Sequence, residues 1–206
     1  MNATPGATPA SSRADARRTA LLHALDDLLR EAVLDDIKIA DISSRAGVTR
    51  SAFYFYFDSK AAAVAALMSE VYDEGFVATT LLRAQDETPR ARIEAGLAAM
   101  FDVVRERAHL HRALGDARHT DEAVRARWDA DRSAFVDPVA EIIEAERDAG
   151  NAPAGPDATA LATLLLELND RVLERVARGS ELDPDRQLDA VTAIWLRSIY
   201  GSGGTP

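Results

Sequence analysis

Apolar positions recur along this chain at helical spacing and do not alternate with period 2, so the pattern predicts an all-α protein. A first helix over about 15–31 carries Leu21, Leu22, Leu25, Leu28 and Leu29 on one stripe, with Arg17, Arg18, Asp26 and Arg30 outside it. Short helices are predicted over 39–46 and 50–57. A fourth starts at Asp58 or Ser59, either of which can cap it, and runs to about Arg83 through Val64, Leu67, Met68, Val71 and Tyr72. Thr88 and Pro89 open a fifth as N-cap and first helical residue, with Ile93, Leu97, Met100, Phe101 and Val104 on its stripe. A short piece around 109–114 is expected to end at Gly115. A long helical pattern over 120–149 should kink at Pro138, whose ring removes one backbone hydrogen bond. Residues 150–156 read as a loop. Asp157 then caps a helix that Gly179 closes, and Asp183 with Pro184 opens the last. The sum is about nine helices.

The run from Ile39 to Lys60, IADISSRAGVTRSAFYFYFDSK, departs from this regular picture. Gly47 can adopt the left-handed conformation that ends one helix before the next begins, and Thr49 can cap the second. Two short helices joined by a Gly turn are the helix-turn-helix signature, whose second helix enters the major groove of DNA. Phe53 and Phe57, four apart, share a face that should pack on the first two helices. Tyr54 lies on another face, where its hydroxyl can donate to a phosphate oxygen.

Charge first argues against such a role, since the net charge is −10 and phosphate contacts need Lys and Arg. Its distribution removes most of the objection. Residues 1–62 carry eight basic and eight acidic side chains, whereas the rest holds the other 16 of 24 basic and 26 of 34 acidic residues. An acidic body would repel DNA and leave the N-terminal segment as the docking surface. The chain has no cysteine, so disulfides and thiolate metal sites are excluded. No apolar run approaches the ~20 residues that span a bilayer, and the start, MNATPGATPASSRADARR, lacks a signal peptide's apolar centre. A cytoplasmic protein without a membrane segment is expected.

The pattern AGVTRSAFYFYFDSK resembles the N-terminal helix-turn-helix of TetR-family transcriptional regulators, with a small residue, Gly, a β-branched residue, a cap, Phe-Tyr and then Phe-x-Ser-Lys. Three further stretches, AEIIEAERDAGNAPAG, LATLLLELNDRV and AIWLRSIYG, are similar to the body of one branch of that family. The polar composition of residues 1–14 and 201–206 reads as a disordered arm and a flexible tail, and the resemblance implies a DNA-binding head (15–60) and a ligand-binding and dimerisation body (61–200) between them. It implies homodimers through the last two helices, for which the apolar face over 161–176 and Trp195 speak as well. Carried over by position, Thr49, Arg50, Ser51 and Tyr54 form the DNA-facing side of the recognition helix. Lys60 would contact a phosphate, and Lys38 or Arg45 would hold the backbone beside helix two. For the body it implies a pocket lined by Met100, Phe101, Val104, Trp128, Phe135, Asn169 and Trp195. Asn169 stands in an otherwise apolar helix, where an amide needs a partner; it could orient a hydrophobic small molecule.

The chain departs from the family pattern at three places. Ala52 stands where many members have Thr, which removes one phosphate hydroxyl. Lys38 or Ile39 stands where a Ser or Thr usually caps helix two. Leu166 replaces a second Asn of the related branch. The reading is a repressor that binds a pseudo-palindromic double-stranded operator as a homodimer and is released by a hydrophobic effector, with no cofactor. The alternatives are an architectural DNA-binding protein without an effector, and an all-α enzyme with an apolar cavity. For the enzyme no nucleophile–base pair, phosphate loop or metal-ligand spacing speaks. His109 and His111, two apart, do not share a helix face, no carboxylate sits at ligand spacing beside both, and these two with His119 read as surface histidines. Glu141, Glu144, Glu146 and Arg147 read as a solvated face.

Overall fold

The computed structural model describes residues 9–69, 87–179 and 181–201. The expected course of the fourth helix to about Arg83, including Val71 and Tyr72, lies outside the described residues, as do residues 1–8 of the expected arm and 202–206 of the tail. Among the described residues all regular structure is helical. The helices are α1 (Pro9–Glu31), α2 (Ile39–Arg45), α3 (Arg50–Tyr56), α4 (60–69), α5 (Pro89–Glu106), α6 (Ala108–Thr120), α7 (Glu122–Ser133), α8 (Val136–Asp148), α9 (Ala158–Ala177) and α10 (Pro184–Tyr200).

Local chemistry accounts for most of the boundaries. Thr49 Oγ1 accepts from the Ala52 amide, and Thr88 Oγ1 from that of Ala91, each at 3.2 Å. Asp157 and Asp183 cap α9 and α10 in the same way, and Ser59 Oγ accepts from Ala62 at the start of α4. Gly47 takes φ +67°, the left-handed value the turn between α2 and α3 requires.

Three boundaries differ from the pattern. α1 begins at Pro9, so residues 9–14 are helical rather than part of an arm; Pro is at home where the first amides have no helical acceptor. Gly115 does not end α6 but sits inside it, where an added Cβ would lie 3.1 Å from Arg178 Nη2. There it lies beneath the Arg178 side chain, which reaches over from the end of α9. The third difference is at Pro138, where the expected kinked helix is two helices. The break falls at Ala134–Phe135, which puts Pro138 in the first turn of α8, where its missing N–H costs nothing.

Three apolar clusters hold these helices. The largest joins Leu21, Leu25 and Leu29 of α1, Ile42 of α2, Phe53 and Phe57 with Val64 and Met68 of α4, and continues into Leu110 and Leu114 of α6. The division expected at residue 60 therefore falls inside one continuous core. A second cluster packs α5, α8, α9 and α10 through Leu97, Ile143, Leu165 and Trp195, and a third joins Phe101 and Val104 to Leu173 and Ala177.

Candidate nucleic-acid interface

α3 turns Phe53 inward, wholly buried, with the Phe57 ring 5.6 Å from its own. That anchoring fixes what faces out. Thr49, Arg50, Ser51 and Tyr54 are all exposed. Arg50 and Tyr54, one turn apart, are linked: Nη2 donates to the phenol oxygen at 3.3 Å and the guanidinium lies 5.7 Å from the ring centre. Tyr54, 47% exposed, is thus held in place before any partner arrives.

The remaining basic residues are placed differently from one another. Lys38 is exposed as the N-cap residue of α2; no side chain of its own caps the helix, but the Asp41 carboxylate accepts from its amide at 3.1 Å. Arg45 holds both carboxylate oxygens of Glu31, at 2.8 and 3.1 Å, which ties α2 to the end of α1. That bond and the arginine's charge hold the Glu31 carboxyl below its usual range. Lys60 points inward: Nζ donates to the carbonyls of Leu34 (2.7 Å), Ile37 (2.6 Å) and, more weakly, Asp35 (3.4 Å). An ammonium has three protons, and these carbonyls take them. Its work in this structure is to close the loop between α1 and α2, not to reach outward.

The seven residues expected to line an effector pocket are spread over the clusters. Phe101, Val104 and Met100 belong to the third and Trp195 to the second, while Trp128 packs on the first with Arg118 4.8 Å above its ring. Phe135 stands at the N-cap of α8. Asn169 and Trp195 do meet: the indole Nε1 donates to Asn169 Oδ1 at 3.0 Å. Asn169 is 2% exposed, and its Nδ2 has no partner, nor does the buried Thr192 hydroxyl on α10. Trp195 is therefore directed into its own subunit, which removes it as a reason for dimerisation. A cavity of about 370 Å³ opens at the end of α9, but Arg171, Arg175 and Arg178 line it, and none of the seven does.

Several charged groups escaped the sequence pattern. His109 is buried rather than at the surface, with Nε2 2.7 Å from Asp26 Oδ1 across the junction of α1 and α6. Burial by itself would raise the Asp26 carboxyl, yet bonds from His109 and Arg30 and their charges hold it below its usual range. Ser59 Oγ also donates to Asp121 Oδ2 at 3.2 Å, joining the start of α4 to that of α7. Burial pushes His111 down to about 4, while His119 is exposed. Among the described residues no group of three or more potential ligands could hold a metal ion, and no helix is long and apolar enough to cross a membrane. Glu146, expected on a solvated face, is buried against Arg92 and Tyr200.

Asp170, beside Asn169, carries a pH prediction. Burial raises its carboxyl from 3.8 to about 6, and Arg132 and Arg118 offset only part of this. A raised carboxyl supports the fold fully below pH 3.8 and loses that support as pH rises through about 6. Asp170→Asn should then stabilise the protein by on the order of 1 kcal/mol at pH 7.5. The advantage should fade in melting curves taken toward pH 4; an equal gain at both values would contradict the burial argument.

A Gly turn between two short helices, a buried aromatic anchor and an outward polar face define a helix-turn-helix protein with a helical body. Comparison with known proteins agrees. Residues 21–67 match the model of "Bacterial regulatory proteins, tetR family", and residues 93–201 match that of "Transcriptional regulator EthR, C-terminal domain". The chain belongs to the TetR family of transcriptional regulators, with an EthR-type C-terminal domain. It is 33% identical over 200 residues to the HTH-type transcriptional regulator EthR of Mycobacterium tuberculosis, covering 95% of this chain and 93% of that one. The EthR of Mycolicibacterium smegmatis is 28% identical over 202 residues, covering 96% and 92%. Among solved structures, SmeT, the repressor of the Stenotrophomonas maltophilia multidrug efflux pump SmeDEF, aligns with TM-score 0.71 at 21% identity, covering 92% of this chain and 93% of that one. Thermus thermophilus FadR in complex with lauroyl-CoA aligns with TM-score 0.68 at 19% identity, covering 88% and 94%. These two likenesses concern the fold.

Proposed function

We propose that the protein is a homodimeric cytoplasmic repressor whose two α3 helices enter successive major grooves of a pseudo-palindromic operator, and that a hydrophobic small molecule bound in the body releases it. The observation that carries this reading is the continuous core from α1–α4 into α6, because it lets a change in the body move the head. The Asp26–His109 and Ser59–Asp121 contacts cross the same junction. Release then follows from an effector's differential affinity for two arrangements of that junction.

At the operator, Arg50, Ser51 and Tyr54 face the groove and Thr49 and Lys38 the flanking phosphates. Arg45 would exchange its carboxylate for a phosphate, and Lys60 acts by holding the head's loop closed. For the dimer, Leu164 (64% exposed) and Ile194 (43%) give α9 and α10 an apolar outer face, which a second copy would cover. For the effector, the unspent Nδ2 of Asn169 and the Thr192 hydroxyl offer polar anchors in an apolar setting. The lauroyl-CoA in the structural neighbour agrees with a lipophilic ligand.

Duplexes selected from a random pool by the full-length protein test the reading directly. Tyr54→Phe should weaken binding to the selected duplex several-fold, the size of one lost hydrogen bond; equal affinity would remove Tyr54 from the interface. Light scattering at micromolar protein should report twice the chain mass. Asn169→Leu should shift the dose response to a releasing compound while DNA affinity stays unchanged, and an unaltered response would end its pocket role. Should no lipophilic compound dissociate the complex, an effector-independent DNA-binding protein is the better reading.

A further inference from the structure

Neither the fold nor the interface described above makes use of Phe55. It is 79% exposed, more than any other large apolar side chain among the described residues. The Tyr56 ring stands edge-on to it, with centroids 5.0 Å apart. Leaving a phenylalanine in water forgoes roughly 1.5–3 kcal/mol of burial. The core has no room to claim it, since Phe53 and Phe57 already fill the inward side of α3. With about 100° of rotation per residue, Ser51 and Phe55 fall on either side of the direction opposite Phe53. Arg50 and Tyr54 lie to one flank and are joined to each other. Phe55 is thus among the side chains that α3 holds farthest from its own core.

We propose that Phe55 is a specificity-determining residue that reads the C5-methyl group of a thymine on the floor of the major groove. The inference rests on the reading of α3 as the helix that enters the groove. A phenyl ring has no donor or acceptor for base edges, and set against a cytosine or adenine amino group it strips water and returns no bond. The thymine methyl is the one apolar group the four base pairs present in the major groove. An exposed ring at the tip of the helix matches that group and no other there. The operator should accordingly carry a required thymine at one position of each half-site, next to the base pair that Ser51 reaches.

The test uses the full-length protein and duplexes it selects from a random 40-base-pair pool. Each thymine of the selected site is replaced singly by deoxyuridine, which lacks only the methyl group. One position per half-site should lose about four-fold in affinity for the unaltered protein, the size of one buried methyl. Phe55→Ala should bind thymine and deoxyuridine duplexes equally and should lose the thymine preference at that position in a repeated selection. Because the ring is exposed, its melting temperature should match that of the unaltered protein. A site without a deoxyuridine-sensitive position, or sensitivity that persists in Phe55→Ala, overturns the proposal. Weakened self-association of Phe55→Ala with unchanged base preference assigns the ring to a protein contact and overturns it equally. Failure of the unaltered protein to select any duplex removes the DNA reading itself, and this proposal with it.

Discussion

Phe53→Ala should destabilise the protein by about 3–5 kcal/mol, the range for truncating a fully buried aromatic. The ring is wholly buried, touches Phe57, and belongs to a core that runs from α1 through α4 into α6. For a chain of this length the loss corresponds to a melting temperature lower by roughly 10 °C. Operator binding should weaken with it, since Phe53 is one of the two aromatic anchors, with Phe57, that seat α3 on the core. A shift below about 2 °C in circular dichroism melts would refute the packing argument. Tyr54→Phe on the next position should leave the melt unchanged, so the pair separates anchoring from contact.

In the body the largest expected loss comes from Arg92→Leu. Arg92 Nη2 donates to Glu146 Oε1 at 2.9 Å, and the Tyr200 hydroxyl donates to Oε2 at 3.0 Å, so one carboxylate clasps α5, α8 and α10. Both charged side chains are about nine-tenths buried. Burial and the neighbouring Glu146 charge push the Tyr200 phenol upward. Removing the arginine leaves a buried carboxylate without its counter-charge, which costs about 3–5 kcal/mol. Removing both charges avoids that: Arg92→Leu with Glu146→Leu should recover most of the loss. Chemical denaturation of the two variants checks this. A double variant no better than the single one would mean that packing, not charge, sets the cost.

Helix caps were legible because a cap and the amides it satisfies lie within three residues of each other. Thr49, Thr88, Asp157 and Asp183 all stand where the local pattern puts them. The inward role of Phe53 and Phe57 was legible too, as two aromatics one turn apart next to a Gly turn. Gly115 and Pro138 misled for one reason: each residue has two uses, and only the neighbours choose. Gly115 makes room for Arg178, and Pro138 opens a helix instead of bending one. Glu146 looked solvated because its neighbours Glu144 and Arg147 are charged, while its partners come from helices 54 residues away in either direction.

By itself the sequence determined the all-α class, the helix-turn-helix and the outward face of α3, since all three follow from spacing within a few turns. Tertiary structure alone decided which partner each polar group takes. Lys60, expected at a phosphate, is spent on the carbonyls of Leu34, Asp35 and Ile37. Asp26 meets His109 from 83 positions away, and Asn169 meets Trp195 instead of standing free. Residue type states how many hydrogen bonds a group must make when buried, but only the packing of distant helices states with whom.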